Sequence, residues 1–184
     1  MAQRLRKNPT IRRNEDMDFE LLEKLRKIKL LVLDCDGVLT DSYVYVNNDG
    51  NEFCRFSHRD GKGIQLIREA GIEVAIITSQ KSPYVKKRCD KMGVEFHQAI
   101  TNKLRNLGDM LEDKKMRFQE VCFVGDDVSD IAVMNNVGLP IAVADAEEEV
   151  KKITAYITKR KGGEHAVREV CNLILEARRC RNEF

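Results

Sequence analysis

The chain is 184 residues long, with 32 Lys and Arg against 30 Asp and Glu, 42% hydrophobic residues, 11 Gly and 3 Pro. That composition supplies one domain with a real core and excludes long disorder and fibrous folds. A net charge of +2 and no run near the ~18 apolar residues of a membrane helix give no reason to expect a nucleic-acid or membrane partner.

Residues 1–14 are expected to form a flexible basic arm. Arg4, Arg6, Lys7, Arg12 and Arg13 stand there without the apolar stretch of a secretion signal. Residues 15–184 read as one domain. Cys35, Cys54, Cys89, Cys122, Cys171 and Cys180 are dispersed, without zinc-site spacing, so reduced and mostly buried thiols in a cytoplasmic chain are expected, with Cys180 the most exposed.

Residues 16–29 carry Phe19, Leu21, Leu22, Leu25 and Ile28 at helical spacing, an amphipathic helix leading into a buried strand over 29–33. That strand ends in Asp34-Cys35-Asp36-Gly37. Residues 42–57 then alternate through Tyr43, Val44, Tyr45 and Val46, turn at Asp49-Gly50 and resume at Phe53 and Phe56, which predicts a β-hairpin. Its apolar and aromatic content needs a cover, and a subunit interface would provide one.

Helices are expected at 63–70, 83–92, 102–114 and 128–135, alternating with strands at 73–78, 94–96, 120–125 and 139–143. A short helix at 146–152, an extended piece at 155–158 and a terminal helix at 164–178 follow. Continuous runs such as Val74-Ala75-Ile76-Ile77 and Val121-Cys122-Phe123-Val124 mark a parallel sheet covered on both faces, hence a three-layer, Rossmann-like α/β fold.

Ligands of such sheets bind beyond the carboxyl ends of the strands. Three ends carry suitable chemistry here: Asp34 and Asp36, then Thr78 and Ser79, then Asp126 and Asp127 with Asp130 beyond. Clustered carboxylates call for a cation, and Mg²⁺ takes oxygen donors. Asp34 and Asp126 are the expected side-chain ligands, with the Asp36 carbonyl as a third and Asp127 adjusting the shell. The competing reading is that these Asp residues cap helices. Lys103 opens a helix from which its ammonium could offset Asp34 and a bound phosphate, although it also fits a solvated helix start. Together the set fits phosphoryl transfer through an aspartyl-phosphate: Asp34 attacks phosphorus, and Asp36 protonates the leaving oxygen and later activates water.

The run Asp34-Cys35-Asp36-Gly37-Val38-Leu39-Thr40-Asp41, with Thr78, Lys103 and Gly125-Asp126-Asp127 plus Asp130, resembles the four motifs of the haloacid dehalogenase-like (HAD) phosphatases. Over about residues 28–178 the chain is similar to their capless 3-deoxy-D-manno-octulosonate 8-phosphate (KDO 8-phosphate) phosphatase subfamily. The further marks are the hairpin, Phe56 followed by Arg59-Asp60-Gly61, and Gly162-Gly163 with Ala166-Val167-Arg168-Glu169. The resemblance implies a Mg²⁺-dependent homotetramer with hairpins at its centre and active sites at subunit interfaces, hydrolysing phosphate from acidic eight- or nine-carbon sugars of the lipopolysaccharide or sialic-acid type.

Four positions depart from that pattern. Thr78-Ser79-Gln80 replaces Thr-Gly-Arg or Thr-Gly-Glu, so neutral Gln80 lacks the charge of either form but still hydrogen-bonds. Ser42 and His165 stand where Gly is expected. Ser79, Gln80, Arg59, His165 and Arg168 are the candidate substrate contacts; Arg59 could instead pair with Asp60, Arg168 could serve the subunit interface, and His165 could be a surface residue. The tail Arg178-Arg179-Cys180-Arg181 lacks the Gly-rich ending usual in the family. A phosphatase of different or broad specificity and a non-catalytic oligomerisation module are the alternative functions.

Overall fold

A computed structural model describes residues 19–179; the expected basic arm and Cys180 lie outside them. The first helix, α1 (Phe19–Lys27), buries Leu25 and hands the chain to β1 (Leu30–Leu33), all four of whose residues are buried. The hairpin follows as β2 (Tyr45–Val46) and β3 (Glu52–Phe53), antiparallel and separate from the main sheet. Its turn is organised by Asn47, whose Oδ1 accepts the N–H groups of Asp49 at 3.0 Å and Asn51 at 2.9 Å.

Next come α2 (His58–Glu69), β4 (Glu73–Ile77), α3 (Pro83–Met92), β5 (Glu95–His97) and α4 (Lys103–Lys114). The chain continues through β6 (Val121–Gly125), α5 (Ile131–Met134), β7 (Leu139–Ala142), α6 (Glu148–Lys151), β8 (Tyr156–Ile157) and α7 (Ala166–Arg179). Six strands form a wholly parallel sheet in the order β5-β4-β1-β6-β7-β8. β1 is central, with Leu33 in register with Ile76 on one side and Val124 on the other. The expected three-layer α/β architecture is the one observed, with no large cap among the described residues.

Because β1, β4 and β6 are buried on both faces, their apolar runs do not alternate. Helices α1, α2 and α7 pack together, while α4 packs on α5. The α7 stripe of Val167, Val170, Cys171, Ile174 and Ala177 is buried against that layer. Phe123, at the centre of β6, is fully buried; a core phenylalanine of this kind contributes about 2–3 kcal/mol.

Two helices differ from the pattern reading. α2 starts at His58 rather than at 63, because Ser57 caps it: its Oγ accepts the N–H groups of Arg59 at 3.1 Å and Asp60 at 3.2 Å. Gly61 and Gly63 inside the helix masked that start, since glycine lowers helix propensity. The segment expected as one helix over 128–135 is a 3₁₀ turn, Val128–Asp130, followed by the single turn of α5. The reason lies in the site: Asp130 turns inward to hold the loop after β6.

Candidate active site

β1 delivers Asp34 to the carboxyl edge of the sheet, where its N–H donates to the Val124 carbonyl at 3.0 Å. The chain then wraps tightly, with the N–H groups of Leu39 at 2.9 Å and Thr40 at 3.1 Å donating to the Cys35 carbonyl. Gly37 has φ +90°, and a Cβ there would overlap the Asp126 carboxylate, so only glycine lets this loop lie beside the β6 end. Asp36 projects toward β4, and its Oδ2 accepts the Thr78 hydroxyl at 3.3 Å. The same hydroxyl oxygen accepts the Gln80 N–H at 3.1 Å and so fixes the turn after β4.

Lys103 is the first residue of α4, capped by Asn102. A cation is disfavoured at a helix N-terminus, and two carboxylates offset that cost. The Lys103 Nζ lies 2.7 Å from Asp34 Oδ1 and 2.6 Å from Asp130 Oδ1, with side-chain exposures of 4%, 8% and 0% for the three residues. The second Asp130 oxygen accepts the backbone N–H of Asp126 at 3.1 Å and of Asp127 at 3.4 Å. Asp130 therefore orients both the lysine and the Gly125-Asp126-Asp127 turn, a role its sequence position did not disclose.

Asp127 lines the same crevice as Asp34 and Asp126, at its rim. Its carboxylate is exposed and accepts the Val128 N–H at 2.7 Å, capping the 3₁₀ turn. The acidic cluster consists of Asp34, Asp126 and Asp130, with one oxygen from each lying within 4.8 Å of the others. Asp126 Oδ1 is buried without a hydrogen-bond partner. Burial first, and then the charge of Asp130, push the Asp34 carboxyl up to about 7 despite the opposing pull of Lys103. Burial and the charge of Asp34 push Asp126 up to about 8. Asp36 is also raised by burial, against the Thr78 hydrogen bond and Lys103. Burial works against the Lys103 ammonium, but its two carboxylates outweigh that and hold its pKa above the ordinary lysine range.

Asp34, Asp36, Thr78, Ser79, Gln80, Lys103, Asp126 and Asp127 all line one crevice of about 1000 Å³, whose far wall includes Tyr43 and Glu52 of the hairpin region. Arg59, His165 and Arg168 do not reach it. They line a separate cavity of about 550 Å³ with Tyr156, Lys159 and Glu169. Asp60 is buried and accepts the Arg168 N–H at 2.7 Å, and among the described residues no ion pair joins it to Arg59. The Arg168 guanidinium donates to Asn172 at 2.9 Å.

Two of the departures from glycine are in the left-handed region: Ser42 at φ 61° and His165 at φ 81°. His165 Nδ1 lies 2.8 Å from Ser57 Oγ, a contact that ties it to the α2 cap. Gly162, by contrast, sits against the Gly37 carbonyl so closely that a Cβ would overlap it, which seats the loop before α7 on the loop after β1.

A parallel α/β sheet with a DxD turn after β1, a hydroxyl after β4, a lysine opening α4 and a Gly-Asp-Asp turn after β6 defines a haloacid dehalogenase-like hydrolase, and a model of that family matches residues 87–170. The 3-deoxy-D-manno-octulosonate 8-phosphate phosphatase KdsC of Escherichia coli (strain K12) is 43% identical over 159 residues, spanning 86% of this chain and 85% of the relative. That of Salmonella typhi is 44% identical over 158 residues, spanning 85% and 84%.

Among solved structures, the phosphatase from Yersinia pestis superposes with a TM-score of 0.86 at 37% identity over 88% of each chain. The Moraxella catarrhalis phosphatase, in complex with magnesium ion, phosphate ion and KDO, gives 0.85 at 34% identity over 87% of this chain and 92% of that one. The chain belongs to the 3-deoxy-D-manno-octulosonate 8-phosphate phosphatase family.

Proposed function

We propose that this protein is a Mg²⁺-dependent phosphomonoesterase acting on a phosphorylated acidic keto-deoxy sugar, KDO 8-phosphate or a nine-carbon relative. The observation that carries this reading is the sealed Asp34–Lys103–Asp130 ion triad beside an Asp126 oxygen that has no partner.

The donor set fits the cation. Three mutually repelling carboxylates cluster beside one ammonium that pairs with only two of them, an orphaned carboxylate oxygen is held among them, and all donors are oxygen. Asp34, Asp126 and the Asp36 carbonyl would hold Mg²⁺, with Asp127 at the rim of the site. When bound, the cation supplies charge compensation for the phosphoryl oxygens.

The residues of the chain carry the remaining steps. Asp34, oriented by Lys103, attacks phosphorus and forms an acyl-phosphate while the P–O bond to the sugar breaks. Asp36, whose carboxyl burial raises above its ordinary value, serves as the acid that gives a proton to the departing sugar oxygen. In the second half Asp36 accepts a proton from water, which hydrolyses the acyl-phosphate and frees Asp34. Lys103 and Thr78 serve as donors to the phosphoryl oxygens.

The exposure of Ser79 and Gln80 on the crevice rim supports their contact with the sugar. Arg59, His165 and Arg168 line another cavity of the same chain, so their contact with substrate requires the crevice of a neighbouring subunit. The exposed apolar hairpin supports a homotetramer. Buried thiols at Cys35, Cys89, Cys122 and Cys171 support a cytoplasmic enzyme in the assembly of lipopolysaccharide- or sialic-acid-type sugars. Residues 15–184 act as one catalytic domain in this reading.

Assaying phosphate release from a panel of acidic and neutral sugar phosphates, with Mg²⁺ and with chelator, tests the proposal. Metal-dependent preference for the acidic sugars is expected, and no metal-dependent release from any of them would reject it. The neutral Ser79-Gln80 pair favours a second reading, a phosphatase of broader specificity, which equal turnover across the panel would select.

A further inference from the structure

The two sides of the crevice differ in charge. Its acids stand mostly on the β1 and β6–β7 side, at Asp34, Asp126, Asp127, Asp145 and Glu147, and beyond the loop after β1 at Asp41 and Glu52, while Asp36 reaches across to the Thr78 hydroxyl. The segment after β4, residues 78–84, contains no acid. It contributes Thr78, Ser79, Gln80, Lys81, Ser82 and Tyr84 to the same crevice. Two ammonium groups line the crevice, and Lys103 is already committed to Asp34 and Asp130. Lys81 is exposed, and no carboxylate of the described residues pairs with it.

Ser82 adds a second, independent feature. It occupies the N-cap position of α3, yet its hydroxyl makes no capping hydrogen bond, although an N-cap serine ordinarily reaches the N–H groups two and three residues on. The residue is 5% exposed, and its Oγ is buried without any partner. An unpaired buried hydroxyl costs free energy. With Pro83 supplying no N–H, the Tyr84 and Val85 amides open a helix of ten residues whose N-terminal end favours an anion. The backbone beneath them is fixed: Gln80 N–H donates to Thr78 Oγ1, the Gln80 carbonyl accepts the Ala99 N–H at 3.1 Å, and the Ser82 N–H donates to Gln98 Oε1 at 3.3 Å.

We propose that Lys81, the Ser82 hydroxyl and the first turn of α3 form an anion subsite that receives the carboxylate of the sugar, while the phosphoryl group lies over β1. The inference rests on the proposed function for the class of substrate and adds the place of its second anion. It gives the chain a cationic contact on the side where Gln80 is neutral: the charge comes from the next residue, and the serine turns its hydroxyl from the protein to the ligand. A carboxylate there is held away from the acidic side of the crevice, which orients a substrate bearing two anionic ends.

The test compares wild type with Lys81→Met and Ser82→Ala on KDO 8-phosphate and on a pentose 5-phosphate, which has no carboxylate. Both variants are expected to raise KM for the acidic substrate, Lys81→Met by about tenfold or more, with kcat changed far less. The loss in kcat/KM is expected to be at least about tenfold greater for the acidic substrate than for the neutral one. Equal losses on the two substrates, or no loss on the acidic one, would overturn the subsite.

Free KDO, which carries the carboxylate without the phosphate, is titrated into the three proteins by calorimetry in Mg²⁺. Weaker binding to Lys81→Met supports the subsite even if turnover of the phosphorylated sugar is absent, a result that would reject the proposed function alone. Unchanged binding in both variants, or no binding of KDO to wild type, overturns the subsite whatever the turnover shows. Lys81→Arg, which keeps the charge, is expected to restore most of the affinity.

Discussion

Lys103 and Asp34 meet at 2.7 Å in a setting almost closed to water, and Asp130 shares the same ammonium from the other side. Removing the lysine leaves two buried carboxylates facing one another. Lys103→Met is expected to reduce turnover roughly a hundred- to thousandfold and to destabilise the fold by about 3 kcal/mol or more at neutral pH. The stability loss should shrink on acidification, because the carboxylates then take protons. Phosphate release and denaturant unfolding at about pH 5 and pH 8 check both parts; wild-type activity in the variant would remove Lys103 from the mechanism.

The carboxyl cluster makes metal-free stability fall as pH rises. Asp34 and Asp126 titrate at about 7 and about 8 when folded, against an ordinary value of 3.8. Their contribution is complete below the unfolded value and is lost as pH climbs through the folded ones, since the folded state then holds protons the unfolded chain has released. A divalent cation replaces those protons. The thermal shift produced by millimolar Mg²⁺ is therefore expected to be small near about pH 5 and to grow by several degrees toward about pH 8. A shift independent of pH would contradict the assignment of these carboxylates to the metal.

Ser42 adopts φ 61° next to Asp41, where a Cβ is strained. Ser42→Gly is expected to stabilise the protein by about 0.5–1 kcal/mol, read as a rise in Tm. An unchanged or lowered Tm would show that the loop is not held under strain by this residue. His165→Gly is expected to gain less, because it also loses the contact with Ser57 at the start of α2.

The hairpin exposes Tyr43 to 70%, Val46 to 63% and Phe53 to 53%. If these faces meet at the centre of an oligomer, a charge on them will separate the subunits. The double variant Tyr45→Asp/Val46→Lys is expected to lower the mass measured by light scattering from that of a tetramer while the circular dichroism of the α/β domain is retained. A wild-type monomer at micromolar concentration would dispose of the interface.

Much of this arrangement was legible in the chain before folding was considered. Continuous apolar runs announced strands buried on both faces, and Asp34, Asp36, Thr78, Lys103 and Asp126 all stood at strand or helix ends, where parallel sheets assemble ligands. The α2 start was hidden because its two glycines weaken the helical signal while the Ser57 cap acts through a hydrogen bond. Asp127 and Asp130 could not be told apart by spacing, since both follow the same strand.

By itself, then, the sequence determined the layered parallel sheet and the chemical inventory at its carboxyl edge, because periodicity and residue type are local properties. Only the tertiary structure decided which carboxylates share one ammonium, that Asp127 caps a turn while Asp130 is sealed behind Lys103, and that Arg59, His165 and Arg168 open onto a different cavity. Those outcomes depend on burial and on distances between segments remote in the chain: Lys103 and Asp34 are 69 positions apart. A carboxylate commits to solvent, a helix cap or a buried cation only once packing has fixed which of them lies within hydrogen-bond reach.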